Sequence, residues 1–213
     1  MISTQCCQGT VRLNVLNSHG SGFTVNRHER QWLITARHLV KDVAVSDIQV
    51  VRHENPILVN LEIVPETGSG ADVAVFLLSA EITPNLNLNP TSTGVVYSQD
   101  VYFLGFPYDL DLQTNGVTFP FVKKAILSAF KTDLNGVTIW FLDGINNPGF
   151  SGGPVLFRNV GTQEWHVAAV VTGYLHENVQ VQKTAGIVSV NTGIILAHDI
   201  RHAIESIDAF VEI

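Results

Sequence analysis

A serine framed by glycines, Gly149-Phe150-Ser151-Gly152-Gly153-Pro154, is the strongest chemical signal in the chain. A serine hydroxyl is a weak nucleophile until a base takes its proton. Attack on a carbonyl also needs N–H donors aimed at the oxyanion that forms. Flanking glycines let the backbone turn sharply and face its amides outward, which makes the amides of Gly149 and Ser151 candidate oxyanion donors. The same hexapeptide also reads as a glycine-rich surface turn ahead of a strand. Two further motifs supply what the serine lacks. Leu33-Ile34-Thr35-Ala36-Arg37-His38 carries an imidazole just past an apolar strand, and histidine titrates in the range that suits a general base. Asp72-Val73-Ala74-Val75 opens another apolar strand with a carboxylate, the group that fixes an imidazole's tautomer and stabilises the imidazolium. Taken together they predict a triad. Ser151 would attack the carbonyl of a polypeptide substrate, His38 would take and return the proton, and Asp72 would orient His38.

Such a triad needs rigid elements to hold it, and the pattern supplies mostly short strands. Val11, Leu13 and Val15 alternate with polar residues, the half-buried strand signature. Residues 17–22, rich in Asn, Ser and Gly, read as a turn. Further strands are predicted over 22–25, 31–35, 47–52, 56–64 and 73–79. Residues 80–98 carry two prolines and several asparagines and read as a linker between lobes. Strands resume at 101–104, 117–130 with a break, 138–141, 154–158, 166–171 and 185–190. Residues 194–207 change period, with Ile195, Ile200, Ala203, Ile204 and Ile207 on one helical face. The expectation is an all-β chain of two six-stranded-type antiparallel barrels: a lobe at 8–90 with His38 and Asp72, a lobe at 91–194 with Ser151, and a helix and tail at 195–213. Pattern alone equally allows a pair of β-sandwiches.

The motifs separate those two. The chain order His, Asp, Ser is that of the chymotrypsin template and differs from the subtilisin and α/β-hydrolase orders. From about residue 9 to 207 the sequence resembles the trypsin-like peptidase domain of the bacterial HtrA/Deg group. The likeness rests on Gly20-Ser21-Gly22-Phe23 as a strand entry and on the His38, Asp72 and Ser151 motifs. It extends to Gly105-Phe106-Pro107-Tyr108 opening the second lobe, to Ile126-Leu127-Ser128-Ala129, and to Gly186-Ile187 before the closing helix. The resemblance implies a chymotrypsin-like double barrel with its site between the lobes, and serine endopeptidase activity without a cofactor. It also implies a specificity pocket lined by Ile145, Asn146, Asn147, Pro148, Val171, Thr172 and Gly173, with Gly186 on the opposite wall. No acidic residue falls at its base, since Asp143 is two residues too early, so an uncharged, small or medium side chain is expected there. Val171 to Gly173 could also pair with the substrate backbone as an added strand.

Two departures from the family stand out. Residue 150 is Phe, where zymogen-activated relatives have Asp and HtrA-like domains usually have Asn. Activation by N-terminal cleavage is therefore not expected, and an activating protein partner or ligand that orders the loops around 106–116, 143–150 and 173–184 is. Six residues follow Ile207, so the family's PDZ domain is not expected here. A catalytically silent binding or scaffold protein on the same fold is the alternative, and a non-peptide esterase a third reading.

Composition narrows the partners. A net charge of −7 without a Lys/Arg block disfavours nucleic acid. No apolar run approaches the roughly 20 residues of a membrane span, and no secretory leader is recognisable, so a cytoplasmic location is expected. Cys6 and Cys7 are adjacent and make no spaced disulfide or zinc framework. His198 and His202 stand at i and i+4 on the expected helix, but no third ligand is placed, and no metal is expected.

Overall fold

The computed structural model describes residues 2–212 other than 17, 53, 54, 85, 87, 111, 112, 115, 116 and 182–185. Seven strands come first: β1 (Thr10–Val15), β2 (Ser18–Arg27), β3 (Arg30–Thr35), β4 (Ile48–Arg52), β5 (Asn55–Ile57), β6 (Leu61–Ile63) and β7 (Ala74–Leu78). They form one antiparallel sheet in the order β5-β4-β1-β2-β3-β7-β6. Val11, Leu13 and Val15 of β1 are buried, and so are Gln31 to Thr35 of β3, as suits strands covered on both faces.

The second group comprises β8 (Asn89–Pro90), β9 (Asp100–Gly105), a small hairpin of β10 (Gln113–Thr114) and β11 (Val117–Thr118), and then β12 (Phe121–Thr132), β13 (Thr138–Asp143), β14 (Pro154–Arg158), β15 (Trp165–Val181) and β16 (Gly186–Asp199). The sheet runs β14-β9-β12-β13-β16-β15-β8, and a β14–β15 pairing closes six of these strands into a barrel. The two curled sheets give the chymotrypsin-like double-barrel arrangement. Short helices are α1 (Thr4–Gln8) and α2 (Arg37–Val40), and α3 (Arg201–Val211) lies at the C-terminal end. Among the described residues no helix is long and apolar enough to cross a membrane.

Each barrel has its own core. Leu13, Leu33, Val50 and Phe76 fill the first, and Phe103, Leu127, Leu142, Phe157 and Ile195 the second. A further cluster joins the lobes to α3, bringing Phe23, Trp32 and Ile34 against Leu104, Leu156, Val170, Ile200 and Ile207. The helix is also pinned to the first lobe. Arg27 donates from Nε and Nη2 to the two oxygens of Asp208, at 2.5 and 2.6 Å, and Trp32 meets Phe210 edge-on at 5.9 Å between centroids.

Three sequence expectations need correction. The turn expected at 17–22 is mostly strand, because Ser18 to Gly22 pair with Val15 to Val11 and ladder bonding overrides local Gly/Ser preference. Gly20 serves a close approach instead: a Cβ there would lie 2.4 Å from Leu39 Cδ1. The helix expected from Ile194 starts later, because β16 continues to Asp199 with Ile195 and Ala197 buried in the barrel. The boundary drawn between residues 194 and 195 thus falls inside β16. The buried Asp199 ends that strand, since its Oδ1 accepts from Arg201 N–H at 2.8 Å and its Oδ2 from Trp140 Nε1 at 3.1 Å. Consequently His198 lies on a strand and His202 on a helix, not on one helical face. Residues 1–10 also contain α1, which periodicity did not suggest; it carries Cys6 and Cys7 as free thiols, both pushed up in pKa by burial.

Candidate active site

His38 and Asp72 are brought together by neighbouring strand ends. Thr35 at the end of β3 lies opposite Ala74 at the start of β7, so the residues just beyond each strand emerge side by side. The Asp72 carboxylate then grips His38 twice. Oδ1 accepts the His38 backbone N–H at 2.7 Å, and Oδ2 lies 2.7 Å from ring Nδ1. A carboxylate at Nδ1 places the proton on that nitrogen and leaves Nε2 as the lone-pair nitrogen. The Arg37 N–H donates to the Asp72 carbonyl at 3.3 Å. Both side chains remain partly open, 39% and 28% exposed.

The serine loop comes from the second lobe and is tied by its carbonyls. Ile145 O accepts from Lys123 Nζ, and Asn146 O from Asn191 Nδ2 at 2.7 Å. Asn147 O accepts from Phe150 N–H at 3.3 Å, and Pro148 O from Tyr108 N–H at 3.0 Å. Gly149 O accepts from Ser21 Oγ at 2.7 Å. Phe150 O accepts from Gly153 N–H at 2.9 Å, and Ser151 O from Ser21 N–H at 2.8 Å. Every carbonyl from residue 145 to 151 is therefore engaged by a protein donor. By contrast, the N–H groups of Gly149 and Ser151 have no acceptor among the described residues. Gly149 sits at φ +101, where a Cβ would fall 2.2 Å from Phe106 O, and Gly152 at φ +85, where a Cβ would fall 2.0 Å from Ser21 O. Those two positions require glycine. Val171 on β15 braces the turn from behind, accepting from Gly152 N–H at 2.7 Å and donating to Gly153 O at 2.9 Å.

Phe150 is fully buried, packed edge-on against Phe103 at 4.9 Å between centroids. The residue that departs from the family pattern is thus an apolar anchor in the second barrel. The Ser151 hydroxyl makes no hydrogen bond among the described residues, so the His38–Ser151 contact is open in this conformation. Such contacts are often long in ligand-free sites and tighten on substrate binding.

The residues expected to line the specificity pocket divide into two groups. Asn146 is buried, and its Nδ2 donates to Gly173 O at 3.1 Å, bringing the serine loop onto β15. Its Oδ1 is buried without a partner among the described residues. Val171 is fully buried; Thr172 Oγ1 lies 3.0 Å from His198 Nδ1. Ile145 is 58% exposed and turns outward. Asn147 is drawn to the loop's outer side by Lys123 and Tyr108. Gly186 is not on the opposite wall: it pairs with Val181, five rungs beyond the His176–Asn191 pair of the β15–β16 ribbon. Asn191, and not Gly186, is the residue of β16 bonded to Asn146. Asp143 stays in the ladder between Ile126 and Ile194, exposed. Of the loops expected to answer an activator, residues 111, 112, 115, 116 and 182–184 lie outside the described residues.

Sequence reasoning passed over four residues that shape this site: Ser21, Tyr108, Lys123 and Asn191. Ser21 is the most connected. Besides its two bonds to the serine loop it accepts Phe106 N–H on Oγ at 3.0 Å, and its carbonyl accepts Thr35 Oγ1 at 2.7 Å. The Gly20-Ser21-Gly22 motif was a signal for it, read only as a strand entry.

Residues 20–161 match the trypsin-like peptidase domain family. No curated protein matches the sequence. The fold matches the Rv3671c protease from M. tuberculosis in its active form with a TM-score of 0.62 and 17% identity, covering 95% of this chain and 81% of that one. An inactive form of the same protease matches at 0.61 and 15%, covering 95% and 89%. The HtrA-type protease AlgW with a tripeptide matches at 0.65 and 20%, covering 98% of this chain and 62% of AlgW. This chain therefore spans about three-fifths of AlgW's length. At these identities the likeness is one of fold.

Proposed function

The chain belongs to the trypsin-like peptidase domain family, and from that premise we propose that it is a serine endopeptidase that cleaves polypeptides through an acyl-enzyme. The carrying observation is the serine loop: seven consecutive carbonyls turn to protein donors, and the amides of Gly149 and Ser151, on either side of the buried Phe150 and beside the glycine-framed hydroxyl, have no acceptor among the described residues. That arrangement is what an oxyanion hole requires. His38, held by Asp72 with Nε2 unprotonated, takes the Ser151 proton as Oγ attacks the substrate carbonyl. The tetrahedral oxyanion is held by the two amides. His38 then gives the proton to the leaving amine as the C–N bond breaks, and water repeats the sequence on the ester to free Ser151.

Asn146 and Val171 to Gly173, joined by the Asn146–Gly173 hydrogen bond, carry no charged side chain, which favours a small or medium uncharged substrate side chain beside them. The open His38–Ser151 contact favours a second reading, a silent protease-fold binding protein. One experiment separates the two: cleavage of casein and of a peptide library by wild type and by Ser151→Ala, with fluorophosphonate labelling alongside. Cleavage and label that both vanish in Ser151→Ala support the peptidase. Equal turnover by both proteins would overturn the triad, and a wild type inert to both assays would support the silent protein.

A further inference from the structure

Lys123 reaches the serine loop from β12, the strand between β9 and β13. On β12 it sits directly opposite Phe103 of β9. Its ammonium lies 5.7 Å from the ring centroids of both Phe103 and Phe150, within the range at which a cation is attracted to a ring face. The same nitrogen donates to Ile145 O and, at 3.0 Å, to Asn147 Oδ1. Asn147 Nδ2 in turn donates to the Tyr108 hydroxyl at 3.1 Å. One side chain thus binds both ends of the segment that precedes Ser151: the entry carbonyl at 145, the middle at 147, and the face of the aromatic anchor at 150. Burial lowers its pKa, in keeping with an ammonium lying over two rings and against a loop.

The anchor it covers is the residue that departs from the family pattern. A Phe at position 150 cannot form a charge pair, so its order comes from apolar packing, and packing alone does not fix the direction of neighbouring peptide planes. We propose that Lys123 is the positioning residue for the oxyanion loop: it clamps Ile145, Asn147 and Phe150 together, so that the Gly149 and Ser151 amides are aimed without a charge pair at residue 150. The inference rests on the peptidase reading for its catalytic consequence, but the clamp itself is a statement about loop order.

The test compares wild type, Lys123→Met and Lys123→Arg. Methionine keeps the packing of the stem and loses the donors, while arginine keeps charge and donors. Two readouts are needed. The first is hydrogen exchange of the amides bonded to the loop's carbonyls, Phe150 N–H to Asn147 O and Tyr108 N–H to Pro148 O, which is independent of activity. Methionine is expected to raise exchange there about tenfold, with arginine close to wild type and the unfolding midpoints of all three alike. The second is peptide turnover, where methionine is expected to lower kcat about tenfold with KM within about twofold, because a misaimed oxyanion donor acts on the transition state rather than on binding. Exchange that stays at the wild-type rate in Lys123→Met overturns the clamp, whatever the turnover. So does equal loss in the arginine and methionine variants, which marks Lys123 as a packing stem. Faster exchange in an otherwise inert protein upholds the clamp and removes the peptidase reading instead.

Discussion

The two halves of the site are held in different ways. His38 and Asp72 are positioned locally: two strand ends lie side by side, and one carboxylate binds both the backbone and the ring of the histidine. The serine loop is positioned from a distance. Its carbonyls are held by Ser21 of the first lobe, Tyr108 after β9, Lys123 on β12 and Asn191 on β16. The His–Asp half is a short-range product of sheet register, and the serine-loop half is a convergence of backbone and side-chain donors from both lobes. A single loss should therefore be severe in the first half and graded in the second.

The largest expected effect follows from the first half. Asp72→Asn keeps the shape but turns an acceptor into a partial donor, which favours the wrong imidazole tautomer. Peptide turnover is expected to fall about 10⁴-fold, with the fold unchanged. A fall of under tenfold would show that Asp72 is not the orienting group and would break the contrast between the halves.

In the second half, Phe150→Ala is expected to cost about 3–5 kcal/mol, the range for emptying a buried aromatic site. The thermal midpoint should drop by about 10 °C, at about 2–4 °C per kcal/mol for a chain of this size. A midpoint within about 2 °C of wild type would mean that the loop's order does not rest on its aromatic anchor. Ser21→Ala should act more mildly on stability and more directly on rate. It leaves Gly149 O without its donor and Phe106 N–H without its acceptor, a cost of about 1–3 kcal/mol. Turnover is expected to fall about 10–100-fold through misorientation of the Gly149 amide. Unchanged kcat in Ser21→Ala would mean that the two lobes align the loop without this latch.

This contrast also explains what could be read from the residues alone. The strand ends, the His38 and Asp72 motifs and the glycines around Ser151 are local in sequence, and short windows report them. The loop's supports are not. Lys123 looks like any cation on an alternating strand, and its role exists only because register sets it opposite Phe103. Asn191 was passed over in favour of Gly186 because the length of the β15–β16 ribbon is fixed by cross-strand pairing, which leaves little trace in either strand. The late start of α3 has the same origin: Ile195 fits a helical stripe with Ile200 and Ile207, yet barrel closure against β13 claims it for a strand.

The smallest expected effect tests whether α3 matters to the contrast at all. Asp208 joins the helix to the first lobe through Arg27, with His28 Nε2 also 2.8 Å from Oδ1. The hydrogen bond from the Arg27 guanidinium holds the Asp208 carboxyl below its ordinary range. A carboxylate whose pKa is depressed on folding stabilises the native state above its unfolded pKa, and that stability is lost as pH falls through the folded value. The pair is about a third exposed, so solvent screening keeps its worth at the level of a surface ion pair, at most about 1 kcal/mol. Asp208→Asn is therefore expected to lower the thermal midpoint by about 2–4 °C at neutral pH. The gap to wild type should hold down to about pH 4 and close below the ordinary carboxylate range, as the wild-type carboxylate takes up its proton. Because none of the hydrogen bonds of the helix among the described residues reaches His38, Asp72 or the serine loop, kcat should be unchanged at neutral pH. A fall in kcat would mean that the lobes move against each other when the helix loosens, and the cross-lobe bonds of Ser21 would then be where that motion reaches the serine loop.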